Sequence, residues 1–216
     1  MVKDISIVIT SKDHPVNPII KEWINLNKTE FNINFVRTPE ELKEGDILFL
    51  ISCSDIINPE ILNKFKKSLV IHASDLPKGR GFSPHIWAIL NGEDTVFISL
   101  IEASEKFDRG NIWKKLERII PKSYIYEDIL GVINSAHCEL MDFALANFYN
   151  VSPKEQSTVI EPSYHAKRTP ELSQLDINKS IREQFDLLRV CDKKRFPAFF
   201  WIHGKKFKVV IESYDE

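Results

Sequence analysis

The stretch from residue 72 to residue 81 gathers several side chains that could do chemistry. It opens with His72 at the end of an apolar run and continues through Ser74, Lys78 and Arg80 in a loop punctuated by proline and glycine. An imidazole exchanges protons near neutral pH, whereas guanidinium and ammonium groups pair with anions. A lone histidine is more often structural, but this arrangement at the end of a strand predicts a catalytic imidazole beside an anion site.

The apolar runs that would position these side chains alternate with segments of helical period, a pattern typical of βα units around a mostly parallel sheet. The predicted strands are 5–9, 33–36, 47–51, 69–72, 95–102 and 112–120, and the predicted helices are 17–27, 59–67, 82–90, 126–148 and a short one after 38–41. The fold class is therefore α/β, a Rossmann-like, mostly parallel open sheet flanked by helices. Residues 1–150 would form the catalytic domain. Residues 151–216 would form a C-terminal extension with a substrate loop, a short helix near 181–188 and a hairpin around Gly204.

The loop after the first predicted strand carries Ser11 and Lys12 ahead of a helix that begins near prolines. Hydroxyl, ammonium and backbone N–H groups at a helix start could hold a phosphate of the substrate, although a plain βα turn explains the same residues. The sequence contains neither a dinucleotide fingerprint nor a Walker loop. These absences argue against a dinucleotide-dependent oxidoreductase and an ATPase.

Residues 72–81, His-Ala-Ser-Asp-Leu-Pro-Lys-Gly-Arg-Gly, resemble the His-x-Ser-x-Leu-Pro-x-x-Arg-Gly signature of the formyltransferases that use 10-formyltetrahydrofolate. Asp108-Arg109-Gly110, which alone would be an ordinary turn, resembles the Asp-x-Gly-x-Ile segment of the same family. The resemblance implies that His72 donates to the oxyanion or relays the amine proton while Asp108 orients the imidazole. It also implies 10-formyltetrahydrofolate as co-substrate, and no metal.

One position departs from the family pattern. Most members carry an asparagine two residues before the histidine as an oxyanion donor, and this sequence has Val70 there. Losing such a donor costs about a hundred- to a thousandfold in rate, so Ser74 is the candidate replacement. The family's folate pocket corresponds to residues 52–57 and the segment before the aspartate, which gives as cofactor-binding candidates Ser52, Cys53, Ile101, Glu102 and Ala103. His85 is a further residue that could face this site.

The acceptor side is indicated by residues 168–176, which resemble the Arg-Thr-Pro-x-x-Ser-x-Ile-Asp segment of sugar-nucleotide and methionyl-tRNA members. Tyr164 could stack on a base or sugar, and Arg168 could pair with a phosphate or carboxylate. The alternative is a docking segment whose arginine caps the core. The resemblance, together with a formal charge of −2 and no additional C-terminal barrel, favours a nucleotide-linked amino sugar over tRNA. A UDP-linked 4-amino sugar of the pseudaminic-acid pathway is the candidate.

Two other functions stay open: a non-catalytic folate-binding or assembly domain, in which Val70 marks lost activity, and a formyltetrahydrofolate hydrolase. Three dispersed cysteines and an N-terminal apolar run too short for a signal or span predict reduced thiols and a cytoplasmic location. We expect a small-molecule partner, no nucleic acid and no membrane. The C-terminal aromatic residues, Trp201 among them, suggest a homodimer interface.

Overall fold

The computed structural model describes residues 2–53 and 57–214, and its centre is a six-stranded sheet with the order β2-β1-β3-β4-β6-β7. The first four strands in that order are mutually parallel, β6 is antiparallel to β4, and β7 is antiparallel to β6. The strands are β1 Asp4–Val8, β2 Asn32–Val36, β3 Gly45–Ile51, β4 Phe65–His72, β6 Thr95–Glu102 and β7 Ile112–Ile119. The predicted α/β architecture is confirmed, and the carboxyl ends of β1, β3 and β4 share one edge.

Strand β4 begins earlier than its sequence indicates, so the predicted helix 59–67 is wrong in its second half. Helix α2 covers only Pro59–Leu62, and Asn58 caps it by accepting a hydrogen bond from the Glu60 backbone N–H at 2.9 Å. From Phe65 onward the chain pairs in register with β3, with Phe65 opposite Gly45. Pairing with a buried neighbouring strand outweighs the helical spacing of this lysine-rich segment.

Three helices cover the sheet: α1 Asn17–Asn27, α3 Pro84–Leu90 and α4 Tyr126–Ala146. By length and composition alone α4 could cross a membrane. Its Ile129, Ile133, Leu140 and Met141 side chains, however, lie in the main hydrophobic core. Packing against the core therefore accounts for the apolar character of α4.

The C-terminal extension attaches to the main sheet domain through short elements. These are β8 Tyr164–His165, α5 Phe185–Arg189, the hairpin of β9 Ala198–Ile202 and β10 Lys205–Val209, and 3₁₀ turns at Pro170–Ser173 and Arg182–Gln184. Strand β8 pairs in parallel with the two-residue β5 Arg80–Gly81, which follows β4. The extension's own apolar cluster centres on only three buried residues, Leu188, Cys191 and Ala198. Trp201 is about half exposed on the hairpin, and the dimer stays a prediction.

Candidate active site

His72 and Asp108 meet at the carboxyl edge of the sheet. The imidazole Nδ1 lies 3.3 Å from Asp108 Oδ1, and the two side chains are only 10% and 9% exposed. His72 is the last residue of β4, and Asp108 lies in the loop between β6 and β7. A buried carboxylate beside an imidazole orients the ring and stabilises its protonated form.

The second imidazole nitrogen of His72 also faces an oxygen. Its Nε2 lies 2.9 Å from the main-chain carbonyl oxygen of Gly79, seven residues along the chain. A neutral imidazole donates from one nitrogen only, whereas the protonated ring donates from both. The two acceptors thus fix the orientation of the imidazole ring.

Asp108 is held in a conformation that few residues adopt unaided, with a positive φ of 56°. Its Oδ2 accepts a hydrogen bond from the Gly81 N–H at 2.9 Å. Its main-chain oxygen accepts two more, from Arg80 Nε at 3.1 Å and Gln156 Nε2 at 2.8 Å. Contacts from two distant segments therefore fix the carboxylate that faces His72.

Arg80, a predicted substrate-binding residue, is buried and donates within the protein. Besides Asp108, its guanidinium donates to the Tyr164 hydroxyl at 3.1 Å and to Gln156 Oε1 at 2.5 Å. Arg109 Nη2 also donates to the Tyr164 hydroxyl, at 2.9 Å. These bonds, that from Arg80 foremost, lower the pKa of the Tyr164 phenol. Tyr164 and Lys78 are themselves exposed.

Ser74, the predicted oxyanion support, lies in the first turn after His72. It is buried, its N–H donates to the His72 carbonyl at 3.0 Å, and its Oγ has no hydrogen-bond partner. A buried hydroxyl without a partner costs free energy. An oxygen of a bound substrate could accept a hydrogen bond from this hydroxyl. The oxyanion role of Ser74 stays a prediction.

The predicted folate-binding residues fall into two environments. Cys53, Ala103 and Val70 pack half-buried against one apolar cluster, and Ile101 is buried behind them. Ser52 directly follows β3 and has a positive φ of 50°. Glu102 instead binds protein groups, accepting from Asn111 Nδ2 at 3.2 Å and Trp113 Nε1 at 3.4 Å. Residues 54–56 of the predicted pocket lie outside the described residues. Half-buried apolar side chains of this kind are suited to contact a flat ring system, and the folate site stays a prediction.

Ser11 and Lys12 are exposed on the loop between β1 and α1, a separate loop from that of His72. The buried Asn17 side chain shapes this loop by donating to the carbonyl oxygens of Ser11, Lys12 and His14 at 2.7–3.1 Å. The loop is thus preformed, and its phosphate-binding role remains a prediction.

Arg168 is buried beside the 3₁₀ turn of the extension. Its Nη2 lies 3.4 Å from Ser173 Oγ, its Nε is buried without a partner, and no carboxylate of the described residues forms an ion pair with it. The nearby His85 has a buried Nδ1 without a partner. Burial, reinforced by the charges of neighbouring groups that include Arg168, lowers its pKa to about 3. These unsatisfied groups suit an anionic or hydroxylated ligand.

Two residues of the site carried little sequence signal, Gln156 and Ser163. Ser163 Oγ accepts from the Gly79 N–H at 2.8 Å, and its carbonyl accepts from the Arg80 N–H at 2.9 Å. Both lie in an aperiodic polar stretch, where only the nearby Tyr164 stood out. Within the described part of the chain, no group of three or more histidine, cysteine or acidic residues could hold a metal.

Comparison with known proteins places this geometry in a family. A sequence model described as formyl transferase matches residues 6–137. The bifunctional polymyxin resistance protein ArnA of Wigglesworthia glossinidia brevipalpis is 29% identical over 85% of this chain, which spans 29% of that relative's length.

Solved structures show the same fold at low identity. The methionyl-tRNA formyltransferase of Clostridium thermocellum has a TM-score of 0.80 and 21% identity, covering 99% of this chain and 94% of that one. A sugar N-formyltransferase from a Shewanella species has a TM-score of 0.73 and 18% identity, covering 99% of both chains. Because the family model covers well over half of the sequence and includes His72 and Asp108, the chain belongs to the formyl transferase family.

Proposed function

We propose that this protein transfers a formyl group from 10-formyltetrahydrofolate to the amino group of a nucleotide-linked amino sugar. The observation that carries the proposal is the buried His72–Asp108 pair, with Nδ1 and Oδ1 3.3 Å apart, in a chain of this family. The bound folate supplies the formyl group. The chain must then handle the negative charge on the formyl oxygen and the proton of the amine.

His72 is the residue that handles the proton. Asp108 and the Gly79 carbonyl hold the ring from both sides, so its orientation at the edge of the site is fixed. A substrate oxygen that takes the place of the Gly79 carbonyl would receive the Nε2–H. Ser74 Oγ, buried without a partner, offers a second hydrogen-bond donor in the loop that follows His72. Val70 cannot supply this donor, because its side chain has no polar atom.

The acceptor would lie toward the extension. Tyr164 offers an exposed ring, and Arg168 offers a buried guanidinium without an ionic partner in the described residues. Lys78, Lys12 and Ser11 are exposed on the loops around this edge. Similarity to a sugar N-formyltransferase over 99% of both chains supports a sugar acceptor, and a UDP-linked 4-amino sugar of the pseudaminic-acid pathway is our candidate.

Methionyl-tRNA is the second candidate acceptor. The Clostridium protein is matched over 94% of its chain, so chain length does not separate the two acceptor classes and cannot exclude tRNA. The formal charge of −2 still disfavours tRNA, because a protein that binds a polynucleotide usually offers a basic surface.

The test is to incubate the protein with 10-formyltetrahydrofolate and, separately, UDP- and dTDP-linked amino sugars and methionyl-tRNA. Mass spectrometry follows a gain of one formyl group, and a second assay follows formate. We expect one sugar to react and the H72A and D108A variants to be inactive. Formylated methionyl-tRNA would establish the second candidate, formate without any acceptor would indicate a hydrolase, and folate binding without reaction would indicate a non-catalytic domain.

A further inference from the structure

We propose that Gln156, acting with Arg80, is a positioning residue that sets the Asp108 carboxylate against His72. This inference rests on the proposed function, since it assigns Asp108 a role in formyl transfer. Gln156 lies in the C-terminal extension, 48 residues from Asp108 in sequence. The extension would therefore complete the catalytic pair as well as border the acceptor.

The turn at residues 108–110 needs an external support. Asp108 has a positive φ of 56°, a conformation that a residue with a side chain keeps only where its surroundings enforce it. Gly110 closes the far end of the turn, because a Cβ there would lie 1.7 Å from the Glu102 carbonyl oxygen. One end of the turn is thus fixed to β6, and the end that carries the carboxylate depends on other contacts.

Gln156 supplies these contacts through both atoms of its amide. Its Nε2 donates to the carbonyl oxygens of Asp108 at 2.8 Å and Gly110 at 3.0 Å, so one side chain spans the whole turn. Its Oε1 accepts from Arg80 Nη2 at 2.5 Å. An amide that uses two donors and one acceptor in this way is restricted to a single orientation.

Arg80 ties the same turn to the loop that follows His72. Its Nε donates to the Asp108 carbonyl at 3.1 Å, and the adjacent Gly81 N–H donates to the Asp108 carboxylate at 2.9 Å. The guanidinium is buried and donates to uncharged oxygens of the described residues. Its contacts are therefore those of a group that orients the backbone.

Losing the Gln156 donors would release the Asp108 main chain and move its carboxylate away from His72 Nδ1. A misplacement of about 1 Å can cost on the order of a hundredfold in rate. Gln156 is only half-buried and belongs to none of the apolar clusters. We therefore expect a loss of kcat without a matching loss of folded protein.

The experiment compares three variants of the full chain. Q156M keeps the shape of the side chain and removes all three hydrogen bonds, whereas Q156E keeps an acceptor for Arg80 and removes both donors. Q184M is the matched control, because the half-buried Gln184 also bonds several backbone groups of the extension, at Asp176, Lys179 and Ser180.

We expect kcat to fall ten- to a hundredfold in Q156M and Q156E, with KM for the folate within twofold, thermal unfolding unchanged and Q184M at the wild-type rate. Wild-type kcat in Q156M would overturn the proposal. So would a loss of kcat explained by unfolding, or an equal loss in Q184M.

A second readout does not depend on turnover. Nitrogen-15 NMR of the histidine rings, with the His72 signal assigned from H72Q, reports the Nδ1 contact with Asp108. We expect the His72 signal to shift in both Gln156 variants and to stay in Q184M, and an unchanged signal would contradict the positioning role. If no acceptor reacts with the wild type, the proposed function fails while this measurement still decides whether Gln156 holds the pair.

Discussion

The parallel half of the sheet and the C-terminal extension are held together by different forces. In β3, every residue after Gly45 is buried, and the strand forms backbone bonds to two neighbours. The extension has only a small apolar cluster of its own. It docks through Val190, which lies in the main core, through polar contacts, and through His165 stacked on Trp87 with ring centroids 5.8 Å apart.

The difference separates stability from the geometry of the site. Apolar burial in the sheet fixes where β4 ends, and hence where His72 lies. The hydrogen bonds of the extension converge on the loops that carry Gly79, Arg80 and Asp108. Changes in the sheet should therefore act on folding, and changes along the docked segment should act on the reaction.

The largest effect should come from the Asp108 carboxylate. D108N keeps the size of the side chain but removes the charge that orients His72, and we expect kcat to fall about a thousandfold or more. The free energy of unfolding should change little. Kinetics and urea unfolding of D108N, with the D94N change on the exposed turn before β6 as control, check this, and a D108N enzyme within tenfold of the wild type would remove Asp108 from the mechanism.

The sheet should respond to a cavity more strongly than the extension does. Leu69 in β4 is fully buried, whereas Leu188 lies in the small cluster of the extension. We expect L69A to lower the free energy of unfolding by about 4 kcal/mol and L188A by about 2 kcal/mol. Urea titrations measure both, and the reverse order would contradict the contrast between the two regions.

The junction between the regions should be sensitive to one methyl group. Gly81 has a φ of 96°, and a Cβ there would lie 2.4 Å from the His165 carbonyl oxygen. We expect G81A to separate β5 from β8, to disturb the hydrogen bond to Asp108 and to lower kcat by about tenfold or more. G92A is the matched control, because Gly92 also has a positive φ of 86° but nothing within 4 Å of its Cβ position.

Acid should weaken the fold through buried histidines. Burial, then the charge of Arg195, lowers the pKa of His14 to about 4, and burial lowers the pKa of His85 to about 3 and also that of His137. Above pH 6.5 these rings are neutral in both states. Below pH 6.5 these histidines bind protons in the unfolded chain but remain neutral in the folded chain. The free energy of unfolding therefore falls by up to about 1.4 kcal/mol per pH unit for each histidine.

Urea unfolding at pH 7 and pH 5 measures this slope. H85Q should flatten it, because that variant removes a ring whose pKa is lowered by burial to about 3. H203Q changes an exposed histidine of the terminal hairpin and serves as the control. An equal slope in wild type and H85Q would show that His85 is not a source of the acid sensitivity.

Much of the fold could be predicted because the buried strands correspond to apolar runs in the sequence. Strand β6 and helix α1 have the predicted bounds. The helix prediction is wrong over residues 63–67. The lysines at positions 64, 66 and 67 interrupt the apolar pattern of a buried strand, and only the pairing with β3 identifies the strand. The two-residue strands β5 and β8 form only by pairing with each other across a long sequence separation, so no local sequence pattern predicts them.

For the site, the motif residues His72 and Asp108 could be paired from the family resemblance, and the structure brings them together. Gln156 and Ser163 could not be identified, because most of their contacts are to main-chain atoms, and these do not depend on the residue type of the partner. Arg80 illustrates the same limit. Its charge suggests an anion as partner, whereas the hydrogen bonds of its guanidinium go to uncharged oxygens of the protein.

Gly110 approaches the Glu102 main chain so closely that there is no room for a side chain at position 110. This contact brings the two ends of the loop 103–109 close together, and residues 104–107 at the tip of the loop are exposed. Insertions or substitutions at the tip would leave the Gly110 base of the loop in place. The tip is therefore the part of this loop that can change in length and composition with the least effect on the fold.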